Sequence, residues 1–428
     1  MTGGLPDIFN IYKVILLGYW WIWLPVALFF ILRMMWLDYI RSEYLKSIKW
    51  TLLEISFPRE AIKSPKAMEQ IFSGLHVTER KLKFKDKYIK GELPTWFSIE
   101  IVGDGGRIRI LLRTPEKYRN LVESQIYAQY PDAEISETQD YVNDLPSGIP
   151  NKDYDIWGTE LILTQPDAYP IRTYPFFFQE KEIEERTDPM AGLFEFLSSL
   201  NFQEHLWLQI LISPVDDEWK KEAEKVVGKI LGKEVKSSKK GGLLIVKEVS
   251  GWFDAFLKGV MDFFTGPSTK AETKEEKKVE NLAAYLSPGQ KEVVSAIEAN
   301  IAKLGLRTMI REIYWAHKDI FSKDKTAAVG GFFKQFNTQN LNGFKPNKLV
   351  TPGRSKIFKK RREPGQKRYI LRLYKNRQFI FHRPRRGFVF NTEELATVFH
   401  IPLKYVKVER IPRIEAKKGG PPTSLPTI

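Results

Sequence analysis

Residues 14–32 (VILLGYWWIWLPVALFFIL) form a run of 19 residues without a charge, bounded by Lys13 and Arg33. As a helix rising ~1.5 Å per residue the run covers roughly 28 Å, close to the ~30 Å hydrocarbon core of a bilayer. It is longer than the apolar region of a secretory signal peptide, and it ends in Arg-Met-Met-Trp rather than in a small-residue cleavage site. The run predicts an uncleaved transmembrane helix over 14–32 after a short segment 1–13, with Pro25 a tolerated kink. Lys13 stands alone on its N-terminal side, against Arg33, Arg41, Lys46 and Lys49 beyond it. By the positive-inside rule this predicts a single-pass protein of the cell (inner) membrane with its C-terminal body in the cytoplasm and the lipid bilayer as one partner.

The body that follows is ordinary globular material by composition, at 43% hydrophobic and 28% charged residues, and 428 residues suggest two or three domains. Five capping residues stand directly before proline: Ser64, Thr114, Asp188, Ser213 and Ser287. Each pair reads as a helix start, because a side-chain oxygen satisfies a free amide and proline at the first position gives up no hydrogen bond. Strand-like runs alternate with them. A strand at 50–56, a helix from Pro65, a hairpin of 96–102 and 107–113 across Gly103-Asp104-Gly105-Gly106, a helix from Pro115 and a strand near 133–136 give the order β-α-β-β-α-β. The fold class read from this is α+β: one N-terminal transmembrane helix, then ferredoxin-like (split βαβ) repeats and a basic, helix-rich C-terminal module. The first unit spans 50–140. A second, imperfect unit spans 155–250, with strands at 157–164, 206–212 and 243–249 and helices from Pro189 and Pro214. An amphipathic helix at 251–264 and a polar linker at 265–280 separate it from a third α/β piece at 281–350. The basic module (354–386), a capped helix and strand (387–412) and a tail (413–428) close the chain.

Chemistry-bearing motifs are scarce. The chain has no cysteine, which removes thiolate nucleophiles, disulfides and the usual zinc ribbons. GDGGRI sits between two strands with no helix opening after it, so it reads as a turn rather than a dinucleotide site. The nearest approach to a phosphate-cradling loop, from Gly228 to Glu234, has the wrong spacing and carries Glu where a Mg²⁺-binding hydroxyl belongs. No two of the five histidines are spaced i,i+4 as metal ligands. These absences predict a non-enzymatic protein without a cofactor.

Charge is concentrated instead. Residues 354–386 hold 14 Lys/Arg against one acid, so of the formal +15 only +2 lies elsewhere. The candidate binding residues are Lys359, Lys360, Arg361, Arg362, Lys367, Arg368, Arg372, Lys375, Arg377, Arg383, Arg385 and Arg386. Tyr369-Ile370 and Leu373-Tyr374 recur at a helical step among them, and Pro364-Gly365 is expected to interrupt the helix. Arginine and lysine neutralise phosphates and release counterions, and interleaved aromatics stack on unpaired bases. The same cations also suit acidic lipid headgroups, or an acidic protein partner. Just downstream, FNTEELATVFHIP reads as a short helix capped by Asn391 or Thr392, with two acids at its positive end and Pro402 beyond its close.

FNTEELATVFHIP resembles a segment just upstream of the motor domain in DNA-translocating ATPases of the type IV secretion and conjugation class, in the version found in membrane-anchored proteins of small-genome bacteria. SPKAMEQIFSGLH, WFSIEIVGDGGRIRILLRTPEKYRNLVESQIYAQYPDAEI and FFKQFNTQNLNGFKPN are similar to that family's non-motor region. The resemblance runs from about Trp50 to the C-terminus. The chain stops at TSLPTI, near where the nucleotide-binding domain would begin. The resemblance therefore implies a membrane-anchored accessory of a type IV secretion-like or conjugative DNA-transfer system, docking DNA, a separate motor ATPase, or both. The other reading is a membrane scaffold whose polybasic patch binds acidic lipids. Oligomeric state is left open.

Overall fold

Two glycines at positive φ join the first hairpin. A computed structural model describes residues 18, 20–58, 63–178, 188–231, 286–353, 359–379, 387–402 and 413–414. In it β2 (Phe97–Asp104) and β3 (Arg107–Pro115) pair antiparallel through Asp104↔Arg107, linked by Gly105 at φ 57° and Gly106 at φ 87°. Positive φ at both central residues gives a turn whose twist matches that of the strands. A Cβ on Gly105 would also stand 2.9 Å from the Phe202 carbonyl oxygen, so the turn is closely packed.

The first half runs β1 (Trp50–Pro58), α2 (Lys66–Leu75), the short α3 (Phe84–Tyr88), the hairpin, α4 (Arg119–Gln129) and β4 (Glu134–Glu137). It is preceded by α1 (Trp20–Ser47). Its strands lie in the order β4-β1-β3-β2, all antiparallel, with α2 and α4 on one face. The second half begins with β5 (Tyr154–Leu163), α5 (Tyr174–Phe177), α6 (Ala191–Ser198), β6 (Glu204–Pro214) and α7 (Glu218–Ile230). After α8 (Pro288–Ile301) come β7 (Gly305–His317), α9 (Thr326–Lys334) and β8 (Phe344–Pro346). Its strand order is β6-β7-β5-β8, again antiparallel. Numbered along the chain, both quartets read 4-1-3-2 toward their junction, where β2 and β6 pair from Phe97↔Ile212 to Asp104↔His205. The result is one continuous sheet. The stretch expected to form a third α/β piece instead supplies the third and fourth strands of the second quartet, and the helices described between β6 and β7 are α7 and α8, which pack on each other. The strand expected at 243–249, the amphipathic helix at 251–264 and the linker at 265–280 lie outside the described residues.

A tail of elements completes the sheet: α10 (Lys359–Lys375), β9 (Phe388–Asn391) paired with the start of β7, α11 (Thr392–Val398) and the two-residue β10 (Arg413–Ile414), parallel to β1. One face of the sheet is covered by α2, α4, α6, α9 and α11 over a large apolar core that includes Phe72, Phe97, Phe194, Phe333 and Phe390. The other face carries α10 and a short helical turn at Tyr141–Asp144, over Val102, Leu111, Ile156, Trp207 and Ile313.

Several expectations are corrected. Among the described residues no helix is long and apolar enough to cross a membrane. Helix α1 keeps an uncharged run only over residues 20–32, about 20 Å at the helical rise, and then carries Arg33, Asp38, Arg41, Glu43 and Lys46 down onto the body. Residues 14–17 and 19 of the expected span lie outside the described residues. The transmembrane helix in the fold class is therefore withdrawn, and with it the single-pass inner-membrane localisation. Of the five cap–proline pairs, Ser287-Pro288 opens a helix as expected, in a capping box with Gln290. Pro115 and Pro214 instead end strands β3 and β6, because a strand's last residue tolerates a missing amide as well as a helix's first does. Helix α10 runs unbroken through Pro364, which near a helix start removes a single intrahelical bond.

Glu312 on β7 is buried on the helix-covered face, and its Oε2 has no hydrogen-bond partner. Burial pushes its carboxyl up to about 8, so the folded chain keeps a proton that the unfolded chain releases near the ordinary glutamate value. The stabilisation is complete below pH ~4.3 and is lost as pH rises toward 8. Glu312→Gln keeps the shape and cannot ionise. Its unfolding free energy from urea titration is expected to match that of the parent near pH 4 and to exceed it by on the order of a few kcal/mol at pH 8. A difference independent of pH would contradict this assignment.

Candidate nucleic-acid interface

Four polar residues sit directly opposite one another across four strands: Glu100 on β2, Gln209 on β6, Arg311 on β7 and Glu160 on β5. All four are fully buried on the face that α10 covers. Arg311 Nε donates to Glu160 Oε2 (3.2 Å), Nη1 to Gln209 Oε1 (3.2 Å) and Nη2 to the Gln378 carbonyl (2.6 Å). Gln209 Nε2 donates to the Tyr374 carbonyl at 3.2 Å. The row thus reaches the last turn of α10, where a cation beneath exposed carbonyls is favoured.

Arg377, just past that turn, is the second anchor. Its Nε and Nη2 donate to the two oxygens of Glu100 (2.7 and 2.9 Å), and Nη1 and Nη2 donate to the two of Asp140 (2.7 and 2.8 Å). Tyr141 Oη adds a bond to Glu100 Oε2 at 2.8 Å, with the Tyr374 hydroxyl 2.9 Å away. Burial alone would lower the Arg377 guanidinium, but Glu100 and Asp140 hold it above its ordinary value. Arg113, half-buried nearby, is pushed down to about 10 by desolvation and then by the charge of Arg377. Burial, reinforced by Glu100, raises the Tyr141 hydroxyl well above the ordinary tyrosine value. Arg377 has φ 45°, where glycine usually ends a helix, and Gln378 N closes the turn by donating to the Leu373 carbonyl at 3.2 Å. A strained left-handed arginine persists because its side chain is bound from two sides.

Between these ends, Ile370, Leu371, Leu373 and Tyr374 bury against the sheet. Gly158 on β5 admits the close approach: a Cβ there would stand 3.2 Å from Ile370 Cγ1. Toward the N-terminus, Lys367 Nζ donates to both oxygens of Asp155 (2.7 and 2.8 Å) and lies 3.6 Å from Glu363, which Lys323 also reaches.

The structure therefore divides the twelve sequence-derived candidates. Lys367 and Arg377 are buried in ion pairs and face the body. Arg361, Arg362, Arg368, Arg372 and Lys375 are exposed. Arg361, Arg368, Arg372 and Lys375 are spaced seven, four and three apart, which at 100° per residue gathers them within an arc of about 60° on the solvent side, over roughly 21 Å of helix. Arg372 also lies 5.6 Å over the Tyr369 ring. Lys359 and Lys360 belong to the helix but their side chains are outside the described residues, as are Arg383, Arg385 and Arg386 entirely. Glu100, Asp140, Asp155 and Arg311, which hold the helix, are not among the sequence-derived candidates. The available signal was a charged residue inside an apolar strand, as in FSIEIV and TMIREIYW.

Removing the Arg377 side chain leaves Glu100 buried without its charge partner. Arg377→Ala is expected to cost about 3–5 kcal/mol of unfolding free energy. Arg377→Gly also relieves the left-handed backbone, so it should cost roughly 1 kcal/mol less than alanine. Urea unfolding of both variants checks this, and an alanine variant as stable as Arg361→Ala would refute the anchoring role.

A family described as a domain of unknown function (DUF8128) matches residues 41–412, and the chain belongs to it. No curated protein matches the sequence.

Proposed function

We propose that this member of the DUF8128 family is a non-enzymatic component of a DNA-transfer machine, and that it docks DNA along the solvent face of α10. The observation that carries the reading is the partition of the basic module: two cations are drawn into buried ion pairs that pin the helix, while four others line its outer face at helical spacing. A rigid row of cations about 21 Å long meets several successive phosphates without first being ordered, and its affinity is insensitive to sequence and steep in salt. The resemblance to the non-motor region of conjugation-class ATPases favours DNA as the polyanion.

Fluorescence anisotropy of labelled DNA with the full chain tests the reading. About four phosphate contacts predict a slope of log K against log salt near −4 on duplex DNA. Substituting Arg361, Arg368, Arg372 and Lys375 together by Gln should lower affinity at least tenfold and bring the slope to about −1 or less. Thermal unfolding should not change, because all four side chains are exposed. Retained affinity and slope in that variant would overturn the proposal.

A further inference from the structure

Helix α1 presents an apolar surface that α10 and its ligand do not account for. Phe29, Ile31, Leu32, Met34, Met35 and Trp36 are each at least half exposed. At 100° per residue they sweep an arc of about 220°. The remaining arc holds the helix to the body. Leu37 and Ile40 are buried, Trp36 Nε1 donates to the Tyr88 carbonyl at 3.3 Å, and Arg33 lies 5.6 Å over the Tyr88 ring. Gly91, at φ 68°, makes room beneath, since a Cβ there would fall 2.6 Å from the Ile40 carbonyl.

The segment that receives α1 is strongly cationic. Residues 80–90 hold six Lys/Arg and one acid. Arg80 and Lys90 are tied to Asp86 and Glu92. Lys83 and Lys85 stay exposed on either side of Phe84, itself 63% exposed, with Ile89 57% exposed nearby. Broad apolar surface and a lysine rim are therefore contiguous through the contacts of Trp36 and Arg33 with Tyr88.

We infer that α1 and α3 together form a docking surface for an anionic lipid surface, on which the chain lies rather than crosses. The width of the arc argues for this occupant. A partner helix or groove covers a stripe of roughly 100°, whereas acyl chains wrap whatever is presented to them. Charge complementarity argues for anionic headgroups, because Lys83 and Lys85 would meet them at the depth where Phe84 and Trp36 enter the interface. The surface is separate from the α10 cations and does not depend on their ligand.

Co-sedimentation of the full chain with phosphatidylcholine vesicles, with and without phosphatidylglycerol, tests the inference. The chain should partition at least tenfold more strongly onto the anionic vesicles. Vesicles with brominated acyl chains should quench part of its tryptophan fluorescence. Lys83→Glu with Lys85→Glu, both exposed and so compatible with folding, should reduce the partition at least tenfold. Met35→Asp should reduce it with no change in charge-independent unfolding. The variant with Gln at Arg361, Arg368, Arg372 and Lys375 should bind anionic vesicles as the parent does. Equal partition onto both vesicle types, indifference to the lysine reversals, or loss of binding in the Gln variant would overturn it. The first outcome would remove headgroup charge from the recognition, the second would remove Lys83 and Lys85 from the surface, and the last would point to α10 as the lipid site.

Discussion

The pairing of β2 with β6 turns two four-stranded units into one sheet, and the polar row across that junction positions everything on its outer face. Glu100, Gln209, Arg311 and Glu160 lie in register on four strands, so their spacing is set by backbone hydrogen bonds rather than by flexible side chains. A buried row of this kind is tolerable only when its charges are matched. Part of the match comes from outside the sheet, through Arg377 and the carbonyls at the end of α10. Helix and junction are thus interdependent. Without the helix the row holds an uncompensated carboxylate, and without the row the helix loses the Glu100 half of the Arg377 anchor and the Arg311 and Gln209 contacts at its last turn.

This dependence explains why a count of charges misjudges a basic module. Fourteen Lys/Arg within 33 residues invite the picture of a uniformly cationic surface. Lys367 and Arg377 show that some belong to the interior, each opposite an acid far away in sequence, Asp155 and Glu100. The cations left outside are fewer and better ordered. Their alignment follows from which face of α10 the sheet consumed.

Local signals were legible in the sequence where the physics is local. The Gly105-Gly106 turn, the Ser287–Gln290 capping box and the Asn391–Glu394 capping box each follow from a few neighbouring residues. Signals that depend on distant partners were not. The third strand of the second quartet, β7, begins at Gly305, about ninety residues after the end of β6, a separation that no local signal announces. Pairs such as Glu100–Arg377 and Lys367–Asp155 leave no mark on either segment alone. Length and lack of charge alone mark the apolar run near the N-terminus as a membrane span. Within the described helix, only residues 20–32 precede Arg33, and the helix then turns amphipathic and docks.

The two rims of the sheet are very short. At one side β8 has three residues, and at the other β4 has four and β10 two. A long free rim would template the addition of further chains by backbone hydrogen bonding. Joining the quartets through their long strands β2 and β6 leaves short strands outermost, and among the described residues the longest stretch of rim without a paired strand is 154–160 of β5, so a further chain could add to the sheet over only a few residues.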